Sequence, residues 1–161
     1  MQPRPAPEWR TTEWINTPEP LSLERLRGNV VLLHAFQMLC PGCVERGLPQ
    51  AQRVAELFAR APLVVVGLHT VFENHEAMQP DALRAFVAER RLTFPIGVDA
   101  PGPVGDPIPQ TMRAYDMQGT PTTVLIDAQG RRRRQILGPH EDLLLGAELQ
   151  ALLAEAQVLQ T

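Results

Sequence analysis

The run Val30-Val31-Leu32-Leu33-His34-Ala35-Phe36 is almost wholly apolar, β-branched at its start and too short for most helices. It predicts a strand buried on both faces. Leu63-Val64-Val65-Val66-Gly67-Leu68 predicts a second, and Thr122-Thr123-Val124-Leu125-Ile126-Asp127 a third. Phe94-Pro95-Ile96-Gly97-Val98-Asp99 reads as a shorter extended element. Between these lie helical patterns. From Val44 to about Arg60 the apolar positions Leu48, Ala51, Val54 and Phe58 follow a helical stripe, which Pro49 should kink. Pro80 to Arg90 places Leu83, Phe86 and Val87 on one face, a short helix carries Met112 and Tyr115, and about Asp142 to Gln157 repeats leucines. Gln129-Gly130 after Asp127-Ala128 predicts a hairpin turn, with Arg131 to Leu137 as its partner strand.

Residues 1–28 are Pro-rich and read as an extended lead-in, with a short strand near Trp14 and one helical turn ending at Gly28. The core then spans 29–157, and the whole of 1–161 reads as one domain. Strands alternate with helices until the closing hairpin, which predicts an α/β sandwich: a mixed sheet with helices on both faces. Trp9, Trp14 and Phe72 are expected to pack rather than bind.

Composition narrows the chemistry. Hydrophobic residues make up 44% and charged residues 20%, an ordinary balance for a chain with a real core. A net charge of −3 argues against nucleic acid or an anionic membrane as partner. Every positive side chain is Arg and there is no Lys, which excludes a lysine nucleophile or a P-loop lysine. Arg131-Arg132-Arg133-Arg134 does not make a basic patch, because a strand sends alternate residues to opposite faces. These charges are expected to guard a sheet edge. The start of the chain is polar, with no apolar run for a membrane segment, so the expectation is a cytoplasmic, monomeric protein.

The two cysteines, Cys40 and Cys43, are too few for a disulfide framework or a four-thiolate zinc site. They flank Pro41-Gly42, between a buried strand and the start of a helix. Free N–H groups and the positive dipole end at a helix start favour a thiolate. Pro41 suits the first helical position, where its missing N–H costs nothing. The spacing puts the second sulfur one turn along, so Cys40 can attack a disulfide and Cys43 can resolve the mixed disulfide.

Strand, Cys-x-x-Cys, proline-bearing helix and a later Gly119-Thr120-Pro121-Thr122 before a strand resemble the thioredoxin-like superfamily. The stretch Pro20-Leu21-Ser22-Leu23-Glu24-Arg25-Leu26-Arg27-Gly28-Asn29 is similar to that of its redoxin-type, cytochrome-maturation-like thiol–disulfide oxidoreductases. The resemblance covers roughly residues 14 to 155. It implies a three-layer thioredoxin-like sandwich and an oxidoreductase that needs no cofactor or metal. Its partners would be a disulfide-containing protein or small molecule as substrate and a thiol as electron donor. It implies too that Thr120–Pro121 is cis beside the thiols, with the Thr120 backbone offered to an extended substrate. Leu39 and Pro41, which flank Cys40, join Thr120 and Pro121 as candidates for substrate contact, and Met38 is expected at the same surface.

Three departures from that branch stand out. Leu39 replaces a usual Trp, Pro49 falls one residue late, and Arg46 stands where an acid is frequent. His34 takes the position of the superfamily's buried acid beneath the second cysteine. Burial favours the neutral imidazole, which can accept the Cys43 proton, so His34 joins the candidate catalytic residues; a satisfied core histidine is the alternative. Two rival functions use the same thiols. A metal carrier would add His69 and His75 to make a Cys₂His₂ set, although those histidines read as solvated loop residues. A thiol peroxidase of the Pro-x-x-x-Thr-x-x-Cys kind would need Pro and Thr where Leu33 and Gln37 stand.

Overall fold

The computed structural model describes residues 2–159 and 161. Its strands are β1 (Arg4–Pro5), β2 (Thr11–Ile15), β3 (Val30–Phe36), β4 (Leu63–His69), β5 (Ile96–Asp99), β6 (Thr122–Ile126) and β7 (Arg131–Leu137). They form one sheet in the order β1-β7-β6-β3-β4-β5-β2. β3 runs parallel to β4 and antiparallel to β6, and β4 runs parallel to β5. The mixed sheet expected from the pattern is therefore present, with β3 near its centre.

β3 is buried along its whole length because both of its faces are covered. Val30, Leu32 and Phe36 pack under α1 (Leu48–Leu57), α2 (Pro80–Glu89) and α4 (Asp142–Val158). Val31, Leu33 and Ala35 face a thinner layer made by α3 (Gln110–Ala114), Leu23 and Trp9. Burying an aliphatic side chain of this kind contributes about 1.5–3 kcal/mol, so the continuous apolar run fixes the strand at the centre.

Several expectations are corrected. The lead-in holds two strands rather than one: β2 pairs with β5, and β1 with the first residues of β7. The arginine strand is consequently not the bare edge of the sheet, since Arg4 and Pro5 lie opposite Arg132 and Arg131. Three of its four arginines are matched by ion pairs, and Arg132 lies over the Tyr115 ring. Arg131 and Arg133 meet Asp127, Arg133 also meets Glu155, and Arg134 meets Glu148. The segment before Gly28 is a run of turns holding one helical bond, Leu26 N–H to the Ser22 carbonyl at 3.2 Å, and Gly28 itself has a positive φ of 90° that suits glycine.

Helix α1 stops at Leu57 rather than near Arg60, and it is preceded by a π-helical turn over Cys43–Gly47. Pro49 explains this turn. It has no N–H to give, and its ring crowds the carbonyl four residues back, so the ladder widens ahead of it. The late proline coincides with one wide turn in the helix.

Candidate functional site

The chain leaves β3 at Phe36 and turns through Gln37, Met38 and Leu39 into the cysteine pair. The turn is tied down by backbone donors: Cys40 N–H to the Gln37 carbonyl at 3.0 Å and Met38 N–H to His69 Nε2 at 3.2 Å. Cys40 is partly exposed, whereas Cys43 is fully buried at 0%, and both are free thiols. The Cys43 N–H points at Cys40 Sγ from 3.3 Å, the arrangement by which a helix start favours a thiolate. Cys40 Sγ in turn donates to the Thr120 carbonyl at 3.6 Å. Burial, and then the neighbouring Cys40, push the Cys43 thiol up to about 12; the Gln37 N–H and Thr120 work against that rise. One sulfur is reachable and the other is held protonated.

Thr120–Pro121 is a cis peptide bond, and it stands beside the thiols as the resemblance implied. Thr120 is partly exposed next to Cys40, and Pro121 is buried behind it. Leu39 is 55% exposed and Pro41 is exposed too, so a rim with apolar side chains surrounds the accessible sulfur. Met38, also expected here, is only partly exposed and packs toward the core.

His34 lies on the α1 face of β3, between Gly67 of β4 and Thr123 of β6. It is 2% exposed, and burial lowers its pKa to about 4, so the ring is neutral near pH 7. Its neighbour is Gly47: a Cβ there would stand 2.5 Å from His34 Cε1 and 2.6 Å from Nε2. The glycine in the wide turn leaves room for the imidazole. No side chain of the described residues, His34 included, makes a hydrogen bond to the Cys43 sulfur. The His34 Nε2 is buried without a hydrogen-bond partner.

The histidine pair expected in a loop is split. His69 is the last residue of β4, buried rather than solvated, with a pKa lowered by burial to about 4. Its neutral Nε2 accepts the Met38 N–H. His75 is exposed and hydrogen-bonds the Pro107 carbonyl. Among the described residues no three His, Cys, Asp or Glu side chains come together as metal ligands.

Sequence reasoning missed Gln37. Its buried amide donates to Thr120 Oγ1 and Glu73 Oε1, both at 3.4 Å, and accepts the Phe72 N–H at 3.3 Å. It thereby joins the cysteine turn to the Pro121 loop. A polar residue closing a buried strand just before the cysteines was the one available signal.

Residues 4–134 match the AhpC/TSA family. The chain belongs to it. A thioredoxin-like superfamily protein of known crystal structure is 50% identical and superimposes with a TM-score of 0.90, over 92% of this chain and 96% of that one. A thiol-disulfide isomerase from Corynebacterium glutamicum is 45% identical, with a TM-score of 0.87 and the same coverage. The thiol:disulfide interchange protein DsbE of Allochromatium vinosum is 26% identical over 154 residues, 96% of this chain and 76% of that protein. The chain also matches NHL repeat-containing protein 2 of Bos taurus, of whose length it spans only 16%. Fold and family together place this member of the AhpC/TSA family among thioredoxin-like oxidoreductases. No helix among the described residues is long and apolar enough to cross a membrane.

Proposed function

We propose that this protein reduces disulfides through Cys40 and Cys43. The Cys40 thiolate attacks one sulfur of a substrate disulfide; that S–S bond breaks, and the far sulfur leaves with the electron pair and takes up a proton. Cys43 then loses its proton and attacks Cys40 Sγ in the mixed disulfide. The second substrate thiol is released, and the Cys40–Cys43 disulfide is returned to the dithiol by two electrons from a thiol donor. The observation that carries this reading is the asymmetry of the pair, with an accessible Cys40 Sγ facing the Cys43 N–H and a buried Cys43.

In this reading Thr120 offers its backbone to an extended substrate, backed by Pro121, while Leu39 and Pro41 supply the rim. His34 is the proton acceptor for Cys43. Because its Nε2 has no hydrogen-bond partner, the proton passes through a bridging water or after a small rearrangement. Both thiols and the groove come from one chain, so a monomer suffices.

Insulin reduction with dithiothreitol as donor tests the reading: turnover is expected, and Cys40→Ser should abolish it. Family membership supports a second reading, a thiol peroxidase. Peroxide consumption at a rate exceeding insulin reduction would favour it. Zinc or copper in protein purified without chelators, together with no insulin turnover, would favour the metal carrier.

A further inference from the structure

The loop after β4 is pinned back onto the end of β3 and onto the residue that follows it. The Thr70 N–H reaches the Phe36 carbonyl at 3.1 Å, and the Phe72 N–H reaches Gln37 Oε1 at 3.3 Å. The Gln37 side chain is 2% exposed, yet both ends of its amide are engaged. Its Nε2 lies 3.4 Å from Thr120 Oγ1 and 3.4 Å from Glu73 Oε1, one acceptor for each N–H. These partners allow the amide a single orientation. A flip would set its oxygen against the Glu73 carboxylate and its nitrogen against the Phe72 N–H.

An amide neither gives nor takes a proton near neutral pH, and this one hydrogen-bonds neither sulfur. What it does touch is the wall beside the thiol. Thr120 stands between Gln37 and Cys40: its hydroxyl oxygen faces the amide, and its carbonyl faces Cys40 Sγ at 3.6 Å. Anchoring the hydroxyl restrains the backbone that carries the carbonyl. The cysteine turn, the loop after β4 and the loop before β6 are far apart in the chain, and they meet at this one buried amide.

We infer that Gln37 is a positioning residue, a clamp that holds the Thr120 backbone in register with Cys40 for a disulfide carried on an extended peptide. The substrate in this statement rests on the disulfide-reducing reading; the clamp rests on the hydrogen bonds alone. The substrate class is then a polypeptide disulfide rather than a small one. A small disulfide needs only the accessible sulfur of Cys40. An extended peptide needs that sulfur and the Thr120 backbone held together, and a misplacement of about 1 Å between them is enough to slow the attack.

The test measures kcat/KM for a disulfide-bridged peptide and for bis(2-hydroxyethyl) disulfide. Gln37→Leu keeps most of the bulk of the side chain and removes all of its hydrogen bonds. The ratio of peptide to small-disulfide kcat/KM should fall roughly ten- to hundredfold, chiefly through KM for the peptide. Thr120→Val removes only the Oγ1 acceptor from a partly exposed residue and should lower the same ratio. The double variant should lose no more than the worse single one, because both changes break one link. An unchanged ratio in folded Gln37→Leu, or single losses that add in the double variant, would overturn the inference. Amide hydrogen exchange gives a readout that needs no substrate. The Phe72 N–H should exchange faster in Gln37→Leu and also in Thr120→Val, although the second change lies on the other loop. Exchange unmoved by Thr120→Val would show that the loops are not joined through Gln37, and it too overturns the inference. Should Gln37→Leu not fold, Thr120→Val carries both readouts. If the parent protein reduces neither disulfide, the functional reading has failed, and the Phe72 exchange rates still decide the clamp.

Discussion

Cys40 and Cys43 carry the same thiol three residues apart, and their surroundings make them different reagents. Cys43 has no exposed surface and its thiol is pushed up to about 12, so it stays protonated at neutral pH. Iodoacetamide near pH 7 should therefore label Cys40 first, with peptide mass spectrometry reading the order; preferential labelling of Cys43 would reverse the roles. His34→Leu keeps an apolar strand apolar and avoids a large cavity. If His34 takes the Cys43 proton, this variant should accumulate a mixed disulfide on a non-reducing gel. Resolution should slow by roughly tenfold to ten-thousandfold while Cys40 labelling stays near normal. Resolution at the parent rate in a folded variant would leave His34 as packing alone. The cysteine pair and Pro121 were legible in the sequence because their chemistry sits in contiguous motifs. Gln37 and His69 were not, because their partners Thr120, Phe72 and Met38 come from distant segments.

At the scale of elements, apolar runs identified β3, β4 and β6 because burial on both faces leaves no polar position to confuse the pattern. The wide turn at Cys43–Gly47 was visible only as a proline out of place, since hydrophobic spacing does not report hydrogen-bond geometry. The two central parallel strands each bury one neutral histidine, His34 in β3 and His69 in β4. Burial lowers both pKa values from 6.5 to about 4. The unfolded chain then binds more protons than the folded one between those values. The stability these rings contribute is complete above about pH 6.5 and is lost as pH falls toward 4, on the order of 3 kcal/mol for each ring. Asp99 pulls the other way, since burial raises its carboxyl against donors from Thr111, Met112 and Thr70. Urea midpoints should be level from pH 7.5 to about 6.5 and then fall toward pH 4.5, and His34→Leu should flatten that fall. An unchanged slope in that variant would mean that His34 is not held neutral by burial.

Across the whole molecule, the lead-in does more than extend. Tyr115 Oη donates to the Pro7 carbonyl at 2.6 Å and accepts the Trp9 indole N–H at 3.2 Å, fastening the first residues over α3. The same segment supplies β1, which covers the end of the arginine strand. The strand near Trp14 was legible and is β2, but the two-residue β1 carries too little pattern to be read, and neither strand's pairing partner was legible. Tyr115→Phe leaves two polar groups without their partner and should cost about 1–3 kcal/mol, read as a lower urea midpoint with the thiols still reactive. A change within error would show that the lead-in is not fastened there.

The account as a whole stands on Cys40 attacking and Cys43 resolving. The most direct measurement is a trap: Cys43→Ser incubated with an oxidised peptide substrate, then digested without reductant and mapped by mass spectrometry. The account predicts a stable mixed disulfide between Cys40 and the peptide, absent from the parent protein, which resolves it. No adduct in Cys43→Ser, with an adduct on Cys43 in the matching Cys40→Ser variant, would contradict it.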